Sequence, residues 1–204
     1  MPLIFLLLLT FIPSDGFSGW HSSTKTRTRL FSSSFPSSFP SQVALSDHIA
    51  KLETTYVPVH TPDFYKLLCG GNWHLIYISG GKESLKKEHE IRQEIVFETK
   101  TNGTLTNTIP YKLGDFVGTV TVCSAFALTP SSRMRVKLLE HRVEPSKGSR
   151  FPDNPEKMVQ EIMRELPAAV WDPGSSPQGN ALTFADGNFR VMQSLNEKHI
   201  FKRV

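Results

Sequence analysis

From Phe116 to Leu128 the chain sets Gly118, Val120, Val122, Ser124, Phe126 and Leu128 against Val117, Thr119, Thr121, Cys123, Ala125 and Ala127. A period of two over so long a run is the mark of a strand with one face buried. Pro130-Ser-Ser132 reads as the turn that follows, and Arg133 to Val143 as the partner strand. A chain that commits this much backbone to one pleated ribbon must find other strands to cover its edges.

Those strands are legible on both sides. Trp73 to Ser79 is rich in β-formers, with Trp73, Leu75 and Tyr77 at odd positions and Gly70-Gly71 before it. Ile91 to Thr99 and Thr104 to Ile109 flank Asn102-Gly103, a strong hairpin signal. Asn102-Gly-Thr104 is also formally a glycosylation sequon, but the turn is its expected purpose. Ala181 to Phe184 and Asn188 to Gln193 flank Asp186-Gly187, and His199 to Val204 supplies a last strand.

Helical signals are few. Val43 to Tyr56 carries Ser46 as a candidate N-cap, with Ile49, Leu52 and Tyr56 near one stripe. Asn154-Pro155 reads as N-cap and first helical residue of a second helix, with Met158, Val159, Ile162, Met163 and Leu166 as its apolar stripe and Pro167 as its stop. The prolines of Tyr56 to Pro62 predict a linker, and Trp171 to Asn180 predicts a loop. Short strands joined by turns, with few helices, predict a mainly β domain built as an antiparallel barrel or sandwich with short flanking helices.

The segment before this domain has another character. Residues 1–16 begin with the apolar run Leu3-Ile-Phe-Leu-Leu-Leu-Leu9, too short to span a ~30 Å hydrocarbon core. It fits a signal-peptide core, with Ser14 and Gly16 at the positions a cleavage site needs. Residues 17–42 hold no acid, carry Lys25, Arg27 and Arg29, and are rich in serine, which is transit-peptide composition. The tandem arrangement resembles the bipartite presequences of algae with plastids of secondary origin, and residues 43–204 are then the folded domain.

Charge excludes one class of partner. The whole chain has a net charge of +4, but residues 1–42 contribute three of the bases and only the acid Asp15. The remainder is left at +2, and near-neutrality gives no case for nucleic acid. Cys69 and Cys123 are the only cysteines, with no C-x-x-C and no histidine at metal-ligand spacing, so two reduced thiols are expected. Glu88-His89-Glu90-Ile-Arg-Gln93 approaches H-E-x-x-H but lacks the second histidine, and Gly114-Asp-Phe-Val-Gly118 lacks the Lys-Ser/Thr of a phosphate loop. No catalytic residue, metal ligand or cofactor site is expected.

Three blocks in order then carry a resemblance. Leu67-Leu-Cys-Gly-Gly-Asn-Trp73-His-Leu-Ile-Tyr77 is similar to a Leu-x-Gly-x-Trp-x-Leu-x-Tyr opening strand, with one extra residue before the Gly-x-Trp unit. Phe126-Ala-Leu-Thr-Pro-Ser-Ser-Arg133-Met-Arg135-Val-Lys resembles a central hairpin turning through serine, and Asp186-Gly-Asn-Phe-Arg190-Val-Met-Gln with His199-Ile-Phe201 resembles an ending Asp-x-x-Leu-Arg-Ile-x-Arg and final strand. Gln193 stands where the second arginine is usual, and residues 144–180 form an insertion. Together the blocks resemble the plastid lipid-associated protein (PAP/fibrillin) family. The resemblance implies a lipocalin-like antiparallel β-barrel in the plastid stroma, at plastoglobules or thylakoid surfaces, with a hydrophobic lipid of isoprenoid, quinone or carotenoid-like type as partner.

On that reading the ligand-binding candidates are Trp73, Tyr77, Phe126 and Phe189, with Val120, Val122 and Val191 beside them on a barrel interior or mouth, and Arg190 as polar anchor. Side chains alone can also fill so small a barrel. Arg190 can equally pair with a buried carboxylate or cover Trp73 by cation–π stacking. Two other functions fit the residues: a secreted lipocalin-type carrier with Cys69 and Cys123 bridged, and a small enzyme of isoprenoid or pigment metabolism on the same scaffold.

Overall fold

The computed structural model describes residues 42–57, 61–79, 90–194 and 197–204. The expected leader falls almost wholly outside them, as do Glu88 and His89. Eight strands follow in chain order: β1 (Gly71–Ser79), β2 (Arg92–Phe97), β3 (Asn102–Leu113), β4 (Phe116–Leu128), β5 (Arg133–Pro145), β6 (Asn180–Ala185), β7 (Phe189–Ser194) and β8 (Glu197–Arg203). Each pairs antiparallel with the next, and β8 returns to β1, so the sheet closes in a ring. The architecture is mainly β, and the single closed sheet decides against two packed open sheets.

The alternation of β4 is realised as expected. Phe116, Gly118, Val120, Val122, Ser124 and Phe126 are buried, while the residues between them are exposed or half-buried. Opposite them on β3, Leu105, Asn107, Ile109 and Tyr111 are buried on the same inward face. β3 runs on past Ile109, where the strand was expected to end, and through Pro110. Pairing with β2 ends at Thr108, so the missing N–H of Pro110 costs no ladder bond on that side.

The first hairpin turns elsewhere than expected. Its loop spans Glu98 to Thr101, and Asn102 and Gly103 already belong to β3, with Gly103 opposite Phe97 and Phe126. A Cβ on Gly103 would come 2.9 Å from the Phe126 ring and against the Val96 carbonyl. The glycine is needed for close approach of that aromatic ring rather than for a tight turn.

Among the described residues four helices decorate the ring: α1 (Gln42–Thr55), α2 (Pro62–Cys69), α3 (Pro155–Glu165) and α4 (Ala168–Trp171). Ser46 lies inside α1 rather than at its cap. In α3, Asn154 Oδ1 accepts from the Lys157 N–H at 2.9 Å and Pro155 takes the first helical position, as the sequence predicts. Met158, Ile162 and Leu166 are buried, whereas Met163 at the edge of the expected stripe is 51% exposed. α2 begins at Pro62, the last residue of the expected linker, and runs through residues to which no helix was assigned from sequence. Its signal was present in Thr61-Pro62-Asp63: a proline at the first turn, where its missing N–H costs nothing, and a carboxylate favoured by the helix dipole.

α1 packs on the outside of the ring. Ile49 and Leu52 form a cluster with Phe184, Val191 and Ile200, against which Tyr56, Ile76, Tyr77 and Phe189 also pack. The Lys198 ammonium and the Glu53 carboxylate join helix to sheet at the rim of this cluster.

Candidate functional site

The ring interior is closed at one end by α2. Tyr65, Leu68 and Cys69 are buried there, and the Trp73 indole N–H donates to the Cys69 carbonyl at 2.9 Å. Arg203, at the end of β8, locks the closure. Its Nε donates to the Gly187 carbonyl at 2.6 Å, Nη1 to Gly70 at 3.0 Å, and Nη2 to Leu67 at 3.2 Å and Leu68 at 3.1 Å. Its guanidinium also covers the Trp73 ring, 4.3 Å from the centroid.

The ring wall has a gap. β5 pairs with β6 only through Arg133 with Ala181 and Met134 with Asn180, so the rest of β5 presents its inward face to the segment between the two strands. α3, α4 and the loop after them fill that space. His141 of β5 stacks on Trp171 with ring centres 3.9 Å apart, and its Nε2 lies 2.7 Å from the Trp171 carbonyl. Ala169, Val170 and Pro173 reach the interior itself.

What remains is a cavity of about 30 Å³, lined by Leu75, Ile91, Ile95, Leu105, Met134, Met192 and Phe201 with the polar Gln93, Asn107, Asn180, Arg190 and His199. A space of that size holds a water or two and no lipid tail. The polar groups form a directed chain. Arg190 Nη2 donates to Gln93 Oε1, Gln93 Nε2 to Asn107 Oδ1 at 2.8 Å, and Asn107 Nδ2 to the Val170 carbonyl at 3.0 Å. Arg190 is thereby linked to the segment that fills the ring. His199 lies 3.2 Å from Glu197 Oε2, and this contact holds the Glu197 carboxyl below the usual carboxylate range.

Arg190 is fully buried, with a relative exposure of 0%. Its guanidinium lies between the rings of Trp73 and Phe201, at 4.4 and 4.3 Å from their centroids, so of the roles open to it from sequence the stacked one is present. Nη1 donates to the Cys69 carbonyl at 3.2 Å. Burial pushes the guanidinium down to about 10, which leaves it charged at neutral pH. Burial also pushes the Cys69 thiol and the Tyr65 hydroxyl up, so both stand neutral beside it.

Of the expected ligand-binding residues, Trp73, Phe126 and Arg190 face inward with Val120 and Val122. Phe126 packs edge-on against Phe97 at 4.9 Å and, with Trp73, stands outside the cavity lining. Tyr77, Phe189 and Val191 correct the expected interior position: they belong to the outer cluster beneath α1. The reason at β1 is a bulge between Leu75 and Tyr77, which turns Tyr77 outward opposite Ile200 while Leu75 faces Phe201 inside. On β7 the inward residues are Arg190 and Met192, so their neighbours Phe189 and Val191 face α1.

Gln93, Asn107 and His199 were not singled out from sequence. Gln93 between Ile91 and Ile95, and Asn107 between Leu105 and Ile109, are polar residues on an inward apolar face, and that pattern was the available signal. Cys69 and Cys123 are free. Cys123 lies on the outward face of β4 opposite Thr106 and Glu140, away from Cys69 in the closed end, so the bridge considered for a secreted carrier is not formed.

Comparison with protein-family models gives no match, and neither do comparisons with curated proteins and with solved structures.

Proposed function

We propose that this chain is a plastid lipid-associated protein of the PAP/fibrillin type, whose lipocalin-like barrel binds or organises a hydrophobic lipid at plastoglobule or thylakoid surfaces. The lipid class is isoprenoid, quinone or carotenoid-like, and the role is binding rather than catalysis. The observation that carries this reading is an apolar ring interior, shut at the α2 end, whose volume is taken up by a segment entering through the gap between β5 and β6. Interior polar groups that are mainly amides and one guanidinium suit recognition of a ligand's polar end.

Exchange of that segment for a lipid tail trades one buried apolar surface for another. Withdrawing Val170 and Trp171 exposes two buried side chains at a cost of roughly 1.5–3 kcal/mol each. A tail that buries about 300 Å² of apolar surface gains roughly 7.5 kcal/mol at ~25 cal/mol per Å². The two apolar contributions are of similar size, so exchange also depends on replacing the hydrogen bond from Asn107 to Val170 and on the freedom lost when the ligand is ordered.

Lipid mass spectrometry of the native protein purified from its source tests the reading. A prenyl lipid co-purifying in near-stoichiometric amount, in a plastoglobule or thylakoid fraction, supports it. Lipid-free protein in the secreted medium or the cytosol defeats it.

A further inference from the structure

We propose that the ring interior is a site for the carboxylate of an amphiphilic monocarboxylic acid, with Arg190 as its counter-charge. The inference rests on the lipid-binding reading above and narrows its ligand to one that ends in a carboxylate, as an isoprenoid acid does and a quinone does not.

The starting observation is a charge without a partner. Arg190 is completely buried, yet its two hydrogen-bond acceptors, the Cys69 carbonyl and Gln93 Oε1, are both neutral. Among the described residues no carboxylate lies within ion-pair distance of it, and Glu197, two residues from the cavity-lining His199, is bonded to that histidine. Stacking on Trp73 and Phe201 offsets part of the lost hydration of the cation but leaves its charge uncompensated. Its Nε has no hydrogen-bond partner. A buried cation with one donor unused and no counter-charge is the arrangement an anion completes.

The surroundings decide which anion. Arg190 lines the cavity together with Asn180, whose Oδ1 also lacks a partner, and a half-turn of that amide would present its NH₂ donors instead. Apart from Gln93, Asn107 and His199, the remaining wall is apolar, with Leu75, Ile95, Leu105 and Met192 on several strands. An inorganic ion would satisfy the guanidinium and leave those walls unfilled. One unpaired positive charge matches one carboxylate, whereas a phosphate at pH 7 brings about −1.5 to −2 against it. The carboxylate takes the cavity, and its tail takes the place of Ala169, Val170 and Pro173.

Decanoate and decanol, which share a tail length and differ in charge, test the proposal on the full chain by their effect on tryptophan fluorescence at about pH 8. Decanoate is expected to bind about tenfold tighter or more. The preference should vanish in Arg190→Gln, with folding checked by near-ultraviolet circular dichroism. Equal binding of the two probes overturns the carboxylate site and leaves the lipid-binding reading standing. Binding of neither overturns both. A folded Arg190→Gln protein that keeps the preference removes Arg190 from the role, and should that variant not fold, the comparison of probes on the unaltered chain decides.

Discussion

The side-chain amide of Asn107 donates to the carbonyl of Val170 at 3.0 Å, joining residues 63 positions apart. Asn107 sits on the inward face of β3 and Val170 in α4, so one hydrogen bond ties the filling segment to the wall of the ring. Through Gln93 the same amide is connected to Arg190.

Replacing Asn107 with leucine keeps the volume but leaves the Val170 carbonyl and the Gln93 amide without their partner. Each abandoned buried group costs about 1–3 kcal/mol, so Asn107→Leu should lose roughly 2–4 kcal/mol in urea unfolding. Amide hydrogen exchange should quicken in α3 and α4 more than in β6–β8. A uniform rise across the sheet would deny the segment any independent release.

Arg203 holds four carbonyls and covers Trp73. Arg203→Met retains much of the stem but none of the donors, and should cost about 2–4 kcal/mol. Arg203→Lys should recover only a minor part, because a point ammonium cannot reproduce the planar fork. Thermal unfolding of the three proteins ranks them directly.

Gly103→Ala should destabilise by about 2–3 kcal/mol, because the new methyl meets both the Val96 carbonyl and the Phe126 ring. Gly114→Ala meets nothing within 4 Å and suffers only the backbone strain of its φ of 57°, about 1–2 kcal/mol. Denaturant midpoints should place Gly103→Ala below Gly114→Ala, and the reverse order would remove close ring packing as the reason for the glycine.

Alkaline pH should weaken the fold. Burial raises the Cys69 thiol and the Tyr65 hydroxyl, and pushes Tyr56 up to about 12. Above the thiol's ordinary range near 9, the unfolded chain loses these protons before the folded one does, so stability falls as pH rises. Arg190 acts in the opposite sense, but only above about 10. Unfolding measured from pH 7 upward should show the decline beginning near 9, and Cys69→Ala should lessen it, leaving the smaller part that Cys123, whose thiol burial also raises, contributes. A flat profile to pH 11 would contradict the burial of these groups.

The local pattern of the chain already specified most of the strands. Phe116–Leu128 could bury only one face, and Asn154-Pro155 and Asp186-Gly187 set a helix start and a turn through their own backbone chemistry. Such features depend on neighbours a few positions away, which is why they read directly. Arg190 was visible as the one charge in an apolar strand, and stacking on Trp73 was one of the roles its residue type left open.

The side of the wall each residue faces was another matter. β1, β7 and β8 carry apolar residues on both faces, because α1 covers Tyr77, Val191 and Ile200 outside while Leu75, Met192 and Phe201 fill the inside. Period-two reading cannot separate two buried faces, and a bulge in β1 shifts the parity midway. The charge state of the interior was equally beyond local reading: only the closed ring takes Arg190 from water and brings Gln93 and Asn107, from strands far off in the chain, between it and the segment that fills the centre.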